Sequence, residues 1–220
     1  MNIYSLEELR FSYDGKFLLY IEKFEMDEKR VGIFGPSGSG KTTFLLNLAF
    51  LLKGEWKSFR FMGEDVNDAS LERFRRLVSY VSQHPVLLKR SVFENIAYPL
   101  MLRKFSKQEI RRRVFEIAEL FKLEKLLDAK PWQLSGGQAR RVCFARALVF
   151  EPKLVLLDEP TADLDEDGRR MLDEAMKKFS DRTSFVIVSH DINWLTSVCE
   201  KLYVMRNGTL KEYKTKTRKN

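Results

Sequence analysis

Eight residues, Gly35-Pro36-Ser37-Gly38-Ser39-Gly40-Lys41-Thr42, constrain this chain more than any other stretch. They satisfy G-x-x-x-x-G-K-[ST], a phosphate loop set between a strand and a helix. Both flanks fit: Val31-Gly32-Ile33-Phe34 reads as a buried strand, and Phe44, Leu45, Leu48, Ala49 and Leu52 follow at helical spacing. Glycines let the backbone wrap closely around phosphate oxygens, with successive N–H groups pointing inward. A helix begun near Lys41 adds the positive end of its dipole. The motif assigns the β- and γ-phosphates to Lys41 and a Mg²⁺ ion to the Thr42 hydroxyl, with Thr43 closing the loop.

Around this loop the pattern changes along the chain. Residues 1–30 alternate apolar and polar side chains about turn signals such as Asp14-Gly15, which predicts short antiparallel strands. From about Ser91 to Arg146 the pattern is helical, with Ile110, Val114, Ile117, Ala118 and Phe121 on one apolar face. Strand patterns return at 153–157, 184–188 and 201–205, separated by helical stretches. Asn207-Gly208 marks a hairpin. The expected fold is α/β: a nucleoside-triphosphatase core with a mostly parallel sheet, an N-terminal antiparallel β subdomain and an inserted α-helical subdomain. The expected division is a core over 1–90 and 147–220 and a helical insert over 91–146 within one domain.

Leu154-Val155-Leu156-Leu157 is a continuous apolar run, as a strand buried on both faces requires, and it ends at Asp158-Glu159. Adjacent side chains leave a strand in opposite directions, so the two carboxylates can divide the work. Asp158 can support Mg²⁺ and Glu159 can polarise an attacking water as general base. Earlier in the chain, Leu134-Ser135-Gly136-Gly137-Gln138 precedes a helical stretch read over 138–150. Ser135 is a good N-cap, and the glycines leave N–H groups uncovered at a positive helix end. Taken alone, this string is equally an ordinary capped helix start.

Together, GPSGSGKT, LSGGQ and LVLLDE resemble the ATP-binding subunit of ABC transporters over nearly the whole chain. The resemblance implies further roles. Tyr13 matches an aromatic that stacks on adenine. Gln83, after a strand at Val78–Val81, matches the glutamine linking Mg²⁺ and the attacking water to the helical insert. Asp163, in Ala162-Asp163-Leu164-Asp165, belongs to a loop crossing between subunits, and His190 is the switch histidine near the γ-phosphate. Ser135, Gly136, Gly137 and Gln138 then close over ATP held by a second ATP-binding subunit, most simply a second copy of the chain. Other implied partners are transmembrane permease subunits and, for an importer, a solute-binding protein. The place of work is the cytoplasmic face of the cell membrane. The stretch from His84 to Ile96 is similar to importers of oxyanions such as tungstate or phosphate; export and lipoprotein release are the alternatives. Two departures stand out: Gln138-Ala139-Arg140-Arg141 where glutamine usually follows one residue after the signature, and Asp27-Glu28-Lys29-Arg30 where a glycine commonly precedes the loop strand.

Composition narrows the class further. The 220 residues are 44% apolar, enough for a substantial core. Two cysteines, Cys143 and Cys199, have no metal-type spacing and point to a reducing compartment. Neither a secretory signal pattern nor an apolar run of about 18 residues is present, so a soluble chain reaching the membrane through a partner is expected. The net charge of +8 is partly local: from Lys211 to Asn220 there are four Lys, one Arg and one Glu. Direct nucleic-acid binding is not expected, because repair and chromosome ATPases of this type carry a long coiled coil that the roughly 90 residues between Lys41 and Leu134 do not supply.

Overall fold

A computed structural model describes residues 2–13, 15, 17–162 and 164–214. The N-terminal segment forms two long strands, β1 (Tyr4–Tyr13) and β2 (Phe17–Met26), rather than several short ones. They pair antiparallel from Tyr4 opposite Met26 to Tyr13 opposite Phe17. Glu8 has φ 52° and is skipped in the register. Glu22 opposite is skipped as well, so the register is unshifted, and on both strands the inward face changes at this point, from Tyr4 and Leu6 to Leu9 and from Met26 and Phe24 to Ile21 and Leu19.

The loop strand β3 (Arg30–Phe34) is followed by α1 (Lys41–Leu48), which ends before Leu52. Next come three elements that the sequence reading left unassigned: β4 (Ser58–Phe61), β5 (Glu64–Asp65) and α2 (Asp68–Arg75). Helix α2 begins at a capping box in which Asn67 and Ser70 each accept the other's main-chain N–H. After β6 (Val78–Val81) the chain turns helical through α3 (Val92–Leu102), α4 (Lys107–Leu120) and α5 (Gly136–Leu148). It then alternates through β7 (Leu154–Asp158), α6 (Glu166–Phe179), β8 (Ser184–Val188) and α7 (Ile192–Val198), and ends in the hairpin β9 (Lys201–Arg206) and β10 (Thr209–Tyr213).

Among the described residues one ten-stranded sheet runs β5-β4-β1-β2-β10-β9-β3-β8-β7-β6. The block β9-β3-β8-β7-β6 is parallel, while β1, β2, β4 and β5 form an antiparallel wing. Alternation along the central strands divides two cores. Leu154, Leu156, Val186 and Val188 face the side that holds α1, α2 and the wing. Val155, Leu157, Phe185 and Ile187 face the side that holds α3 to α7. Every residue of β7 and β8 is buried, which explains their uninterrupted apolar run. In the hairpin turn, Asn207 and Gly208 have φ 47° and 76°, as a type I′ turn demands.

Candidate active site

The phosphate loop is held open by its own backbone and by the last hairpin. Gly40, at φ 102°, turns the chain into α1, and no side chain caps that helix start. Its first N–H groups therefore face the loop, which suits an anion. The Lys41 Nζ donates to the carbonyls of Gly35 and Pro36, both at 2.9 Å, which holds the ammonium at the loop. A Cβ on Gly35 would stand 2.1 Å from the Met205 carbonyl of β9, so only glycine fits. On the other side of the loop, the Gly208 N–H donates to the Ser39 carbonyl at 3.0 Å.

Strand β7 delivers the two carboxylates. Asp158 is buried, and its Oδ2 accepts from Thr42 Oγ1 at 2.8 Å and from Tyr80 Oη at 3.1 Å. Burial pushes its carboxyl above the ordinary range, against the pull of the Thr42 and Tyr80 hydroxyls. Burial likewise raises the Tyr80 phenol, with the Asp158 charge adding to it. Glu159 departs from the strand geometry that the sequence suggested: it lies past the end of β7 with φ 47°. The carboxylates diverge because of this left-handed turn, not because of strand alternation. Glu159 Oε2 accepts the His190 main-chain N–H at 3.2 Å and lies 2.8 Å from His190 Nδ1. The imidazole itself is largely exposed, at 76% of its side-chain surface.

These residues converge on one cavity of about 510 Å³. Gly35, Ser37, Gly38, Gly40, Lys41, Thr42 and Thr43 line one side, and Gln83, Asp158, Glu159 and His190 the other. Tyr13 stands at the rim, 46% exposed, with its ring edge-on to Phe11 at 4.8 Å. Pro36 is exposed beside the loop, and Ser39 is buried behind it. Thr42, Asp158 and Gln83 line the same cavity and offer hard oxygen donors. That fits magnesium, which takes one or two protein oxygens and completes its shell with water and substrate phosphates.

The signature turn does not line this cavity. Helix α5 begins at Gly136, two residues before the start read from the sequence, and ends at Leu148. Ser135 Oγ accepts the Gln138 N–H at 3.2 Å, and Gln138 Oε1 accepts the Ser135 N–H at 2.9 Å. This capping box draws both glycines into the first turn. Ser135 and Gly136 are exposed, and a Cβ on Gly136 would meet nothing within 4 Å. The helix start therefore offers bare N–H groups on an open surface. Asp163 lies outside the described residues.

Sequence reasoning missed two residues that touch this site. By sequence Tyr80 is simply part of a strand; one residue before that strand's end, its hydroxyl reaches Asp158. Arg140 stands out in the sequence only as a departure after the signature; it is 1% exposed and donates to the main-chain carbonyls of Glu159 and Gln83, on the side of the cavity facing the phosphate loop.

Comparison with known proteins agrees with this geometry. The pattern of the ABC transporter family matches residues 23–162. The tungstate uptake system ATP-binding protein of Peptoclostridium acidaminophilum is 34% identical over 94% of this chain and 96% of its own length. The molybdate/tungstate import ATP-binding protein of Thermococcus kodakarensis is 40% identical over 81% of this chain, which spans only 54% of that longer protein. Among solved structures, the dimeric post-hydrolysis state of the ATP-binding cassette MJ0796, bound to ADP and Pi, superposes with a TM-score of 0.82 at 30% identity, covering 96% of this chain and 98% of that one. A phosphate loop, an acidic strand end and a glycine-rich helix start thus occur together in a chain that belongs to the ABC transporter family, as one of its ATP-binding subunits.

Proposed function

We propose that this chain hydrolyses ATP with Mg²⁺ and so drives a separate membrane permease that imports an oxyanion of the tungstate type. The observation that carries the hydrolysis reading is Glu159, whose carboxylate is fixed by His190 at 2.8 Å in the same cavity as Lys41 and Thr42. In this reading the loop N–H groups, from Gly35 to Thr43, and the Lys41 ammonium hold the β- and γ-phosphates. Thr42, Asp158 and Gln83 hold Mg²⁺, which when bound neutralises charge on the phosphate oxygens. Glu159 accepts a proton from water as the water oxygen bonds to the γ-phosphorus and the bond to the ADP oxygen breaks. His190 keeps that carboxylate aimed, Gln83 orients the water, and Tyr13 stacks on adenine.

Ser135, Gly136, Gly137 and Gln138, which do not line the cavity and of which the first two are exposed, act on the ATP of a second copy, with Asp163 at the same junction. Closure of two copies then completes each site with donors for the transition-state charge. The exposed apolar side chains of Val86, Met101 and Leu102 lie on and beyond the segment following Gln83, and they support a permease contact there. No helix among the described residues is long and apolar enough to cross a membrane. In this reading the chain works at the cytoplasmic face through that permease. A solute-binding protein belongs with the import reading. The choice of oxyanion rests on the relatives named for tungstate and molybdate.

Two measurements test this. Phosphate release by the purified chain should require Mg²⁺ and fall by about 100-fold or more in Glu159→Gln, while ATP binding persists. Parental turnover in that variant would remove Glu159 as the base. In a deletion strain, uptake of labelled tungstate should drop; unchanged uptake would discard the substrate but not the ATPase.

A further inference from the structure

Arg140 lies in the second turn of α5, five residues after Ser135, and is 1% exposed. Burying a guanidinium is costly unless its N–H groups are met. Two of its hydrogen bonds go to main chain. Nη1 donates to the Glu159 carbonyl at 3.1 Å, and Nη2 donates to the Gln83 carbonyl. The two acceptors belong to different arms of the cavity: one follows β7, the other follows β6.

The Glu159 contact bears on a strained residue. A φ of 47° is a left-handed conformation that a non-glycine residue keeps only when its surroundings impose it. The peptide groups on either side of Glu159 are held: its N–H donates to the Val188 carbonyl at 2.9 Å, and its carbonyl accepts from Arg140. With the backbone fixed in this turn, the side chain leaves toward His190. The guanidinium is a rigid planar fork, so the separation of the two carbonyls it binds is set by covalent geometry. Helix α5 carries both this fork and the signature turn, and a displacement of the helix moves both carbonyls.

We infer that Arg140 is a positioning residue for hydrolysis: from the signature helix, it sets the main chain of Glu159 and Gln83 together. The inference rests on the reading of Glu159 as the base, and the test separates the two. Arg140→Gln should lower kcat by about 10- to 100-fold, the scale of a misplaced reacting group, with ATP affinity within about threefold of the parent. Arg140→Lys, which keeps the charge and loses the fork, should fall between. Independently of turnover, the His190 ring ¹H and ¹⁵N shifts at fixed pH should move in Arg140→Gln, because the carboxylate against the ring has moved. Parental kcat together with parental ring shifts would overturn the inference, as would loss of affinity equal to the loss of kcat. Moved ring shifts with parental kcat would support the hold on Glu159 and reject Glu159 as the base. If Arg140→Gln fails to melt cooperatively, Arg140→Lys carries the same comparison. Parental kcat and ring shifts in it would overturn the inference.

Discussion

One carboxylate oxygen, Oε2 of Glu159, takes two contacts from His190: the main-chain N–H at 3.2 Å and Nδ1 at 2.8 Å. The main-chain bond survives replacement of the side chain by alanine; the imidazole contact does not. His190→Ala should therefore leave Glu159 in place but loosely aimed, lowering kcat by about 100-fold with ATP affinity little changed. Steady-state phosphate release alongside equilibrium nucleotide binding checks this. A parental kcat would mean that the main-chain bond alone orients the carboxylate.

Tyr80 is a hydroxyl partner of Asp158, the carboxylate proposed to hold Mg²⁺. Losing such a partner typically costs 10- to 100-fold in metal affinity or activity. Tyr80→Phe removes the 3.1 Å bond to Asp158 and little packing. The Mg²⁺ concentration for half-maximal ATPase should rise by about tenfold, while stability changes by no more than about 1 kcal/mol. A Mg²⁺ titration with a urea melt of the same sample separates the two effects.

Gly208 joins stability to the site. A Cβ there would stand 2.0 Å from the Leu18 carbonyl, and φ is 76°. The clash is with backbone, so nothing swings aside. Gly208→Ala should cost about 1–3 kcal/mol in urea unfolding. It should also raise the KM for ATP, because the Gly208 N–H holds the Ser39 carbonyl. A KM unchanged in a destabilised variant would show that the loop keeps its shape without that bond.

Much of the fold was legible in the sequence because its signals are local. The boundaries of β8 follow from an apolar run, and the hairpin follows from two adjacent residues that accept positive φ. What was hidden depends on partners distant in sequence. The edge strand β5 is two residues long and wholly exposed, so it has no apolar signature, and β4 beside it offers only Phe59 and Phe61 as an inward face. Within the site, the motif residues were legible one by one. The Tyr80–Asp158 bond spans 78 residues and the Arg140–Gln83 bond 57, so no local pattern announces either.

Acid should expose a surface contribution in the helical segment. Arg112 and Arg113 beside Glu109 hold its carboxyl down at about 2. A carboxyl with a depressed folded pKa adds stability above its unfolded value, near 4.3, and loses it as pH falls to the folded one. Glu109→Gln should thus melt lower than the parent at pH 7, with the gap closing between about pH 5 and pH 2. Because Arg112 is exposed and Glu109 and Arg113 are partly so, added salt should narrow the gap at neutral pH. Thermal melts across pH and ionic strength decide it; a gap independent of both would assign the loss to helix packing.

The hairpin that closes the phosphate loop also fixes when the loop can exist. During synthesis, residues 35–42 leave the ribosome long before Met205, which backs Gly35, and Gly208, which holds Ser39. Strand β3 is flanked in the sheet by β8 and β9, both of which are made later still than the helical segment. A nascent chain halted before β9 therefore carries the whole loop sequence without the wall that shapes it. Nucleotide capture is then a late event in the life of each molecule, arriving with the sheet as a whole rather than with the motif.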